Sequence, residues 1–298
     1  MIYGGSVLNW GVERRLEFIE FRVCWEGGVN RADIVDVFGV SVPQASKDMT
    51  LYQESAPGNI TYDKSAKRYI AGPNFSPMFL KLDADVYLSR LRSLAEGLST
   101  EEESWITRAP SMDIAITPHR DIEIPVLRLV LAAIREKRSV EILYQSMNRL
   151  RPEPVWRRIS PHAFGYDGFR WHARAFCHIH RNFKDFLLPR SLAARDIGEP
   201  GASASLDWSW RETFELLIEP HPGLAPSQKA VVAKDFRMKD GKCSMRIRYA
   251  MLFYVAKRLG LLGNAEGSDA RQQHVVASNK DEMQLALARA ESPLPIEI

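Results

Sequence analysis

Between residues 11 and 25 the apolar side chains Leu16, Ile19 and Val23 recur at i, i+3 and i+7, and the stretch closes on Gly27-Gly28. That is the period of an amphipathic helix with a glycine stop. Asn30 is placed to cap a short second helix with Ile34, Val37 and Phe38 on its apolar face. Gly39 follows where a left-handed residue ends such a helix. Ser41 then caps a predicted third helix that tolerates Pro43 in its first turn, with Val42, Ala45, Met49 and Tyr52 as its buried stripe. Pro57-Gly58-Asn59 turns the chain into a strand at 60–62, residues 63–66 reverse it, and 67–71 return. This is a short β-hairpin.

Gly72-Pro73 through Ser76-Pro77 marks a boundary. Residues 78–98 read as a helix with Phe79, Leu82, Val86 and Leu91 inward; Thr100 and Glu103 match a capping box. Residues 113–117 read as a strand and 126–137 as another amphipathic helix. From Ser139 the period becomes two: 140–145, 154–159, 164–177 and 186–193 read as successive strands, with Asp167-Gly168 as a hairpin turn. Short strands at this spacing predict a small barrel. A Gly/Ser/Ala linker covers 198–205, and residues 210–298 mix strands (214–218, 243–249) with helices (225–236, 252–261). The expected fold class is α+β multidomain, divided into 1–75, a connector at 76–137, a barrel at 138–198 and an α+β unit at 205–298.

The composition, with 45% hydrophobic and 26% charged residues over 298 positions, excludes a disordered, collagenous or coiled-coil chain. No apolar run approaches the ~18 residues of a membrane span. The N-terminus shows no basic-then-apolar leader, and three scattered cysteines (Cys24, Cys177, Cys243) fit a reducing compartment. The expectation is a cytoplasmic protein with no membrane partner. Net charge is only +3, yet residues 135–195 hold 13 Lys and Arg against 5 Asp and Glu, and 11 of those cations are Arg. Arginine's planar fork suits phosphate, so this block predicts an anionic ligand.

Helix, short helix, glycine turn, capped third helix and hairpin is the order of a winged helix-turn-helix. Its groove-facing positions would be Gln44, Ser46, Lys47 and Asp48, with Ser41 at the tip. Gln, Ser and Lys suit base edges or phosphate. Lys64, Lys67 and Arg68 on the hairpin would take backbone phosphates. The alternative is a purely structural three-helix unit, in which Gln44 only closes a capping box on Ser41.

The strand at 170–180 alternates. Trp171, Ala173, Ala175, Cys177 and Ile179 share one face, read as core; His172, Arg174, Phe176, His178 and His180 share the other, read as a concave basic patch. Arg157, Arg158 and Arg190 lie on neighbouring predicted strands and converge on it, or stay solvated. His178 and His180 read more readily as surface residues than as ligands. The three histidines match no compact zinc spacing, and GxGxxG, P-loop, GxSxG and HExxH motifs are absent. Carboxylates in the basic block are scattered, so neither metal, cofactor nor catalysis is expected.

Residues 142–197 carry Tyr144, Ile159-Ser160-Pro161-His162, Trp171-His172-Ala173-Arg174-Ala175 and Leu188-Pro189-Arg190-Ser191. This segment resembles the WYL domain of bacterial transcriptional regulators, with Trp171-His172-Ala173 standing where the eponymous Trp-Tyr-Leu would be. With Pro43-Gln-Ala-Ser46 and Tyr62-Asp63, the whole chain is similar to repressors of phage-defence islands of the BREX and CBASS type. The resemblance implies an SH3/Sm-like barrel that senses a nucleotide or nucleic acid, with pocket positions at Tyr144, Ser146, His162, His172, Arg174 and Arg190. It further implies a homodimer on an inverted-repeat double-stranded DNA operator, relieved by an anionic nucleotide or oligonucleotide effector. The connector and C-terminal unit would hold that dimer, with Leu252, Phe253 and Tyr254 offering an apolar contact. The rival readings are an activator of this architecture and a nucleic-acid-processing or nucleotide-binding enzyme.

Overall fold

The computed structural model describes residues 9–115, 118, 120–149 and 152–291, and the backbone of 2–3 and 6–7. The chain divides into two compact units, residues 1–116 and 117–298.

The first unit opens with a two-stranded pair, β1 (Ile2–Tyr3) and β2 (Ser6–Val7), followed by α1 (Trp10–Trp25), α2 (Arg31–Phe38) and α3 (Val42–Ser55). Local chemistry sets each helix boundary. The Asn9 side chain accepts from the Gly11 N–H, and Asn30 and Asp33 close a reciprocal capping box. Gly39 sits at φ +62° at the end of α2, and Ser41 caps α3 by accepting from the Gln44 N–H. Leu16, Ile19, Ile34, Ala45, Met49 and Tyr52 bury together with Trp105 and Ile106 in one core. Strands β3 (Ile60–Asp63) and β4 (Arg68–Ala71) form the hairpin, and a bridge from Val29 to Tyr69 docks it on the end of α1.

Two expectations fail on α3. Val42, predicted inward, is 60% exposed, whereas Asp48, predicted outward, is buried on a bidentate pair with Arg15 at 2.6 and 3.2 Å. The connector also departs from prediction. Its helix α4 spans only Ala84–Ala95, starting at the Asp83 cap, while the preceding backbone N–H groups of Met78, Phe79 and Leu80 donate to the buried Glu20 carboxylate. Leu82 and Val86 are accordingly exposed, while Phe79 and Leu91 do pack on the core. The short α5 (Glu101–Ser104) carries the expected Thr100–Glu103 capping box. Residues 113–115 are irregular rather than a strand; 116 and 117 lie outside the described residues.

The second unit lays α6 (Ile124–Glu136) over a five-stranded antiparallel sheet of β5 (Ser139–Tyr144), β6 (Val155–Tyr166), β7 (Trp171–Cys177), β8 (Asn182–Leu187) and β9 (Ser191–Gly198). The order is β8-β7-β6-β5-β9. Among the described residues no pairing joins β8 to β9, so the expected closed SH3/Sm-like barrel is an open sheet. The stretch 186–193 is not one strand. Pro189, lacking an N–H, sits in a 3-10 turn that breaks it between β8 and β9. Val126, Val130 and Ala133 of α6 pack on Val140, Ile142, Ile159, Ala173, Ala175 and Cys177. Then come α7 (Trp208–Arg211), β10 (Thr213–Pro220), α8 (Pro226–Asp235), β11 (Cys243–Arg248), α9 (Tyr249–Arg258), β12 (Val275–Ala277) and α10 (Lys280–Glu291). Their sheet runs β11-β10-β12 over a separate apolar core that includes Leu216, Leu252 and Met283.

Candidate functional site

The outer edge of α3 presents Ser41, Pro43, Lys47 and Thr50 to solvent, with Gln44 and Ser46 half-buried beside them. The Gln44 amide does not return to the cap. Its nitrogen donates to Asp48 Oδ1 at 3.0 Å, so the Arg15–Asp48 pair also fixes how Gln44 lies. Lys64 and Lys67 are exposed at the hairpin tip, where the Asp63 carboxylate accepts from the Ser65 and Ala66 N–H groups. Arg68 departs from expectation: its guanidinium turns inward to the Gly28 carbonyl instead of facing outward with the two lysines.

The alternation of β7 is as read, and Ala173, Ala175 and Cys177 lie in the core as expected, but Trp171 and the opposite face depart from expectation. Trp171, expected in the core, is 49% exposed and packs beside Tyr166 at a ring separation of 4.9 Å. The face expected to be an open basic patch is covered: His172 and Arg174 are only 4% and 7% exposed. The cover comes from the segment around α7 and from α9. Arg174 Nε donates to Asp207 Oδ2 at 2.7 Å, one terminal nitrogen reaches Asp207 Oδ1 at 3.0 Å and Ser209 Oγ, and the other reaches Asp185 at 3.2 Å. His162 Nε2 lies 2.9 Å from Asp207 Oδ2. His172 is paired with Asp167 at 3.0 Å and stacks near Tyr254, whose hydroxyl donates to Asp185.

Electrostatics follow from these contacts. Burial alone would push the Asp207 carboxyl up; hydrogen bonds from His162 and Arg174, the Arg174 charge and Ser209 outweigh it and hold the group well below the usual carboxylate range. Asp167 is held low in the same way by His172, Arg170 and two backbone N–H groups, against its burial. Burial works against the charged Arg174, but Asp207 and Asp185 raise its pKa above the ordinary value. His178 goes down, through burial and the nearby Arg158 charge, and contacts Ser160 Oγ at 2.9 Å.

The six expected pocket positions therefore split. His162, His172 and Arg174 gather around internal carboxylates on one face of the sheet. Tyr144 belongs to the apolar face against Phe186, its hydroxyl accepting from the Leu187 N–H. Ser146 and Arg190 are half-buried at the same end, where the Gln145 N–H donates to the Arg190 carbonyl. The Arg190 guanidinium has no hydrogen bond or ion pair among the described residues. Arg158 is held by Glu141, Ser139 and the Asp196 carbonyl. Leu252 and Tyr254, expected at a dimer contact, are instead spent inside the chain, on the C-terminal core and on His172; Phe253 stays 39% exposed. Sequence reasoning missed Asp207 and Ser209, whose only local signal was an Asp able to cap the turn at Trp208.

Three family models match. The BrxR transcriptional regulator winged helix-turn-helix domain covers residues 11–93, the WYL domain 125–195 and the BrxR C-terminal dimerization domain 213–283. The chain is 41% identical over 285 residues to the DNA-binding transcriptional repressor CapW of Stenotrophomonas maltophilia, covering 94% of this chain and 93% of the relative. It is 35% identical to proteins of that name from Escherichia coli strain KTE188 and Pseudomonas aeruginosa, again over 94% of this chain and 93% of theirs. A solved structure, proteasome accessory factor B/C of Arthrobacter aurescens, aligns with 96% of this chain and 48% of its own at 15% identity, with a TM-score of 0.29.

Proposed function

The chain belongs to the family of the DNA-binding transcriptional repressors named CapW, and from that premise we propose that it is a homodimeric repressor whose operator grip is loosened by an anionic effector. The observation that carries this reading is the exposed polar edge of α3 beside Lys64 and Lys67, on a domain that matches the family's winged helix. Ser41, Gln44, Ser46 and Lys47 would read base edges, and the hairpin lysines would hold phosphates. The match to a dimerization domain at 213–283 supports two such heads on one operator. Two-fold symmetry then asks for inverted half-sites separated by about one or two turns of duplex, ~34 Å each.

The effector is a nucleotide or oligonucleotide, and the operon under control is one of phage defence. Arg190, unpaired beside Ser146 and Tyr144, is ready to take an anion; Arg174 and His162 become available only if Asp207 lets go. An effector shifts the dimer off DNA only by binding the released form more tightly, and each tenfold preference is worth ~1.4 kcal/mol.

Gel shifts with duplex from immediately upstream of the gene test the reading. Wild type gives a discrete complex and the double substitution Gln44→Ala, Lys47→Ala abolishes it; undiminished binding by that variant rejects the assignment of α3. Arg190→Ala retains the complex but no longer releases it on induction.

A further inference from the structure

Val42 is an apolar side chain left outside the core. It opens α3 directly after the Ser41 cap and is 60% exposed, whereas Val40, two residues earlier, packs on the core of the first unit and Ala45 and Met49 lie within it. The backbone that carries Val42 is firmly held. Ser41 Oγ accepts from the Gln44 N–H at 3.3 Å, Pro43 fixes its own φ, and the Arg15–Asp48 pair ties the next turn to α1. β-branching leaves Val few χ1 states, so little side-chain freedom is lost when its methyl groups are covered.

Helical spacing shows what stands beside it. Val42 and Ser46 are i and i+4, and Thr50 continues the row; the adjacent row is Pro43 and Lys47. Val42 therefore lies at the N-terminal end of the polar edge of α3. Single exposed apolar residues are ordinary on a protein surface. In a helix-turn-helix, however, the N-terminal residues of this helix are the ones that meet base edges in the major groove. That groove displays one apolar group, the C5-methyl of a pyrimidine, which thymine carries and cytosine gains on methylation.

We propose that Val42 determines sequence preference by packing on a pyrimidine C5-methyl group in each operator half-site, an assignment that rests on α3 being the helix that enters the groove. The contact is apolar and adds to those of Ser41, Gln44, Ser46 and Lys47. A side chain with no hydrogen-bonding atom favours the methylated edge because covering the methyl removes apolar surface of both partners from water.

Gel shifts on the upstream duplex, with single thymines replaced by deoxyuridine, delete that methyl group and nothing else. Replacement at the contacted position is expected to weaken wild-type binding about fourfold per half-site, the effect of burying one carbon. Val42→Ser binds the unmodified duplex more weakly by a similar factor, ignores the same replacement and keeps the wild-type Tm. In a second arm, single cytosines become 5-methylcytosine: tighter wild-type binding there, lost in Val42→Ser and without any thymine response, assigns the methyl to modified cytosine. Wild-type binding indifferent to both replacements at every position, a deoxyuridine penalty undiminished in Val42→Ser, or a Tm several degrees lower in that variant overturns the proposal. A wild type that forms no complex with the upstream duplex fails the repressor reading first and takes this contact with it.

Discussion

Arg174 on β7 holds both oxygens of Asp207, at 2.7 and 3.0 Å, across 33 residues of sequence. The same carboxylate accepts from Ser209 Oγ and the Trp210 N–H, so one buried acid ties the central sheet to the segment leading into β10. Asp207→Asn leaves Asp185 as the one carboxylate offsetting the buried Arg174 charge and is expected to cost about 3 kcal/mol, read from urea denaturation. Adding Arg174→Met to that variant should restore part of the loss. A double variant as unstable as the single one would mean that the neutral contacts dominate.

Acid sensitivity follows from the same groups. Asp207 and Asp167 have folded-state pKa values depressed below that of an unfolded Asp, about 3.9. A depressed folded pKa contributes stability that is present above the unfolded value and lost as pH falls through the folded one. Stability should therefore decline steadily below about pH 4–5, and less steeply in Asp207→Asn. Denaturation midpoints compared across that range check the slope.

Gly28 sits at φ +143° where the hairpin meets α1, and a Cβ there would stand 2.5 Å from the Tyr69 carbonyl oxygen. Gly28→Ala is expected to destabilise the first unit by about 2 kcal/mol or more. It should also weaken DNA binding, because the Val29–Tyr69 bridge that aims Lys64 and Lys67 is displaced. Melting and gel-shift measurements on the same preparation check both effects.

Lys64 and Lys67, exposed at the hairpin tip, have a distinctive signature if they hold phosphates. Each one lost should flatten the slope of log affinity against log salt by about 0.9 while changing sequence preference little. Fluorescence anisotropy over a salt series, on operator and scrambled duplex, reads this. Arg68→Ala should behave differently, lowering stability through the lost Gly28 contact rather than changing the slope.

Glu20 lies fully buried at the junction of α1 and the connector, accepting from three backbone N–H groups and the Tyr52 hydroxyl. Glu20→Ala strands those donors and is expected to cost at least about 3 kcal/mol, followed through the fluorescence of the buried Trp105.

Much of the architecture was written locally. Asn30, Gly39 and Ser41 mark helix ends through hydrogen bonds and backbone freedom that involve neighbours within four residues, and Asp167-Gly168 turns the chain by the same short-range chemistry. The alternation of β7 likewise follows from the pleat alone, whatever packs on it. What the sequence could not carry was the identity of the cover. Periodicity separates two faces but is silent on whether the second meets water or another segment, and only the fold brings Asp207 and Tyr254 onto Arg174 and His172. Asp48 and Arg68 illustrate the same division: their helix and strand positions were legible, but the inward turn of their side chains depended on Arg15 and Gly28, residues made adjacent by tertiary packing. Arg157 is the sharpest case, since a charge on a strand reads as solvated until the three-dimensional arrangement removes the water around it.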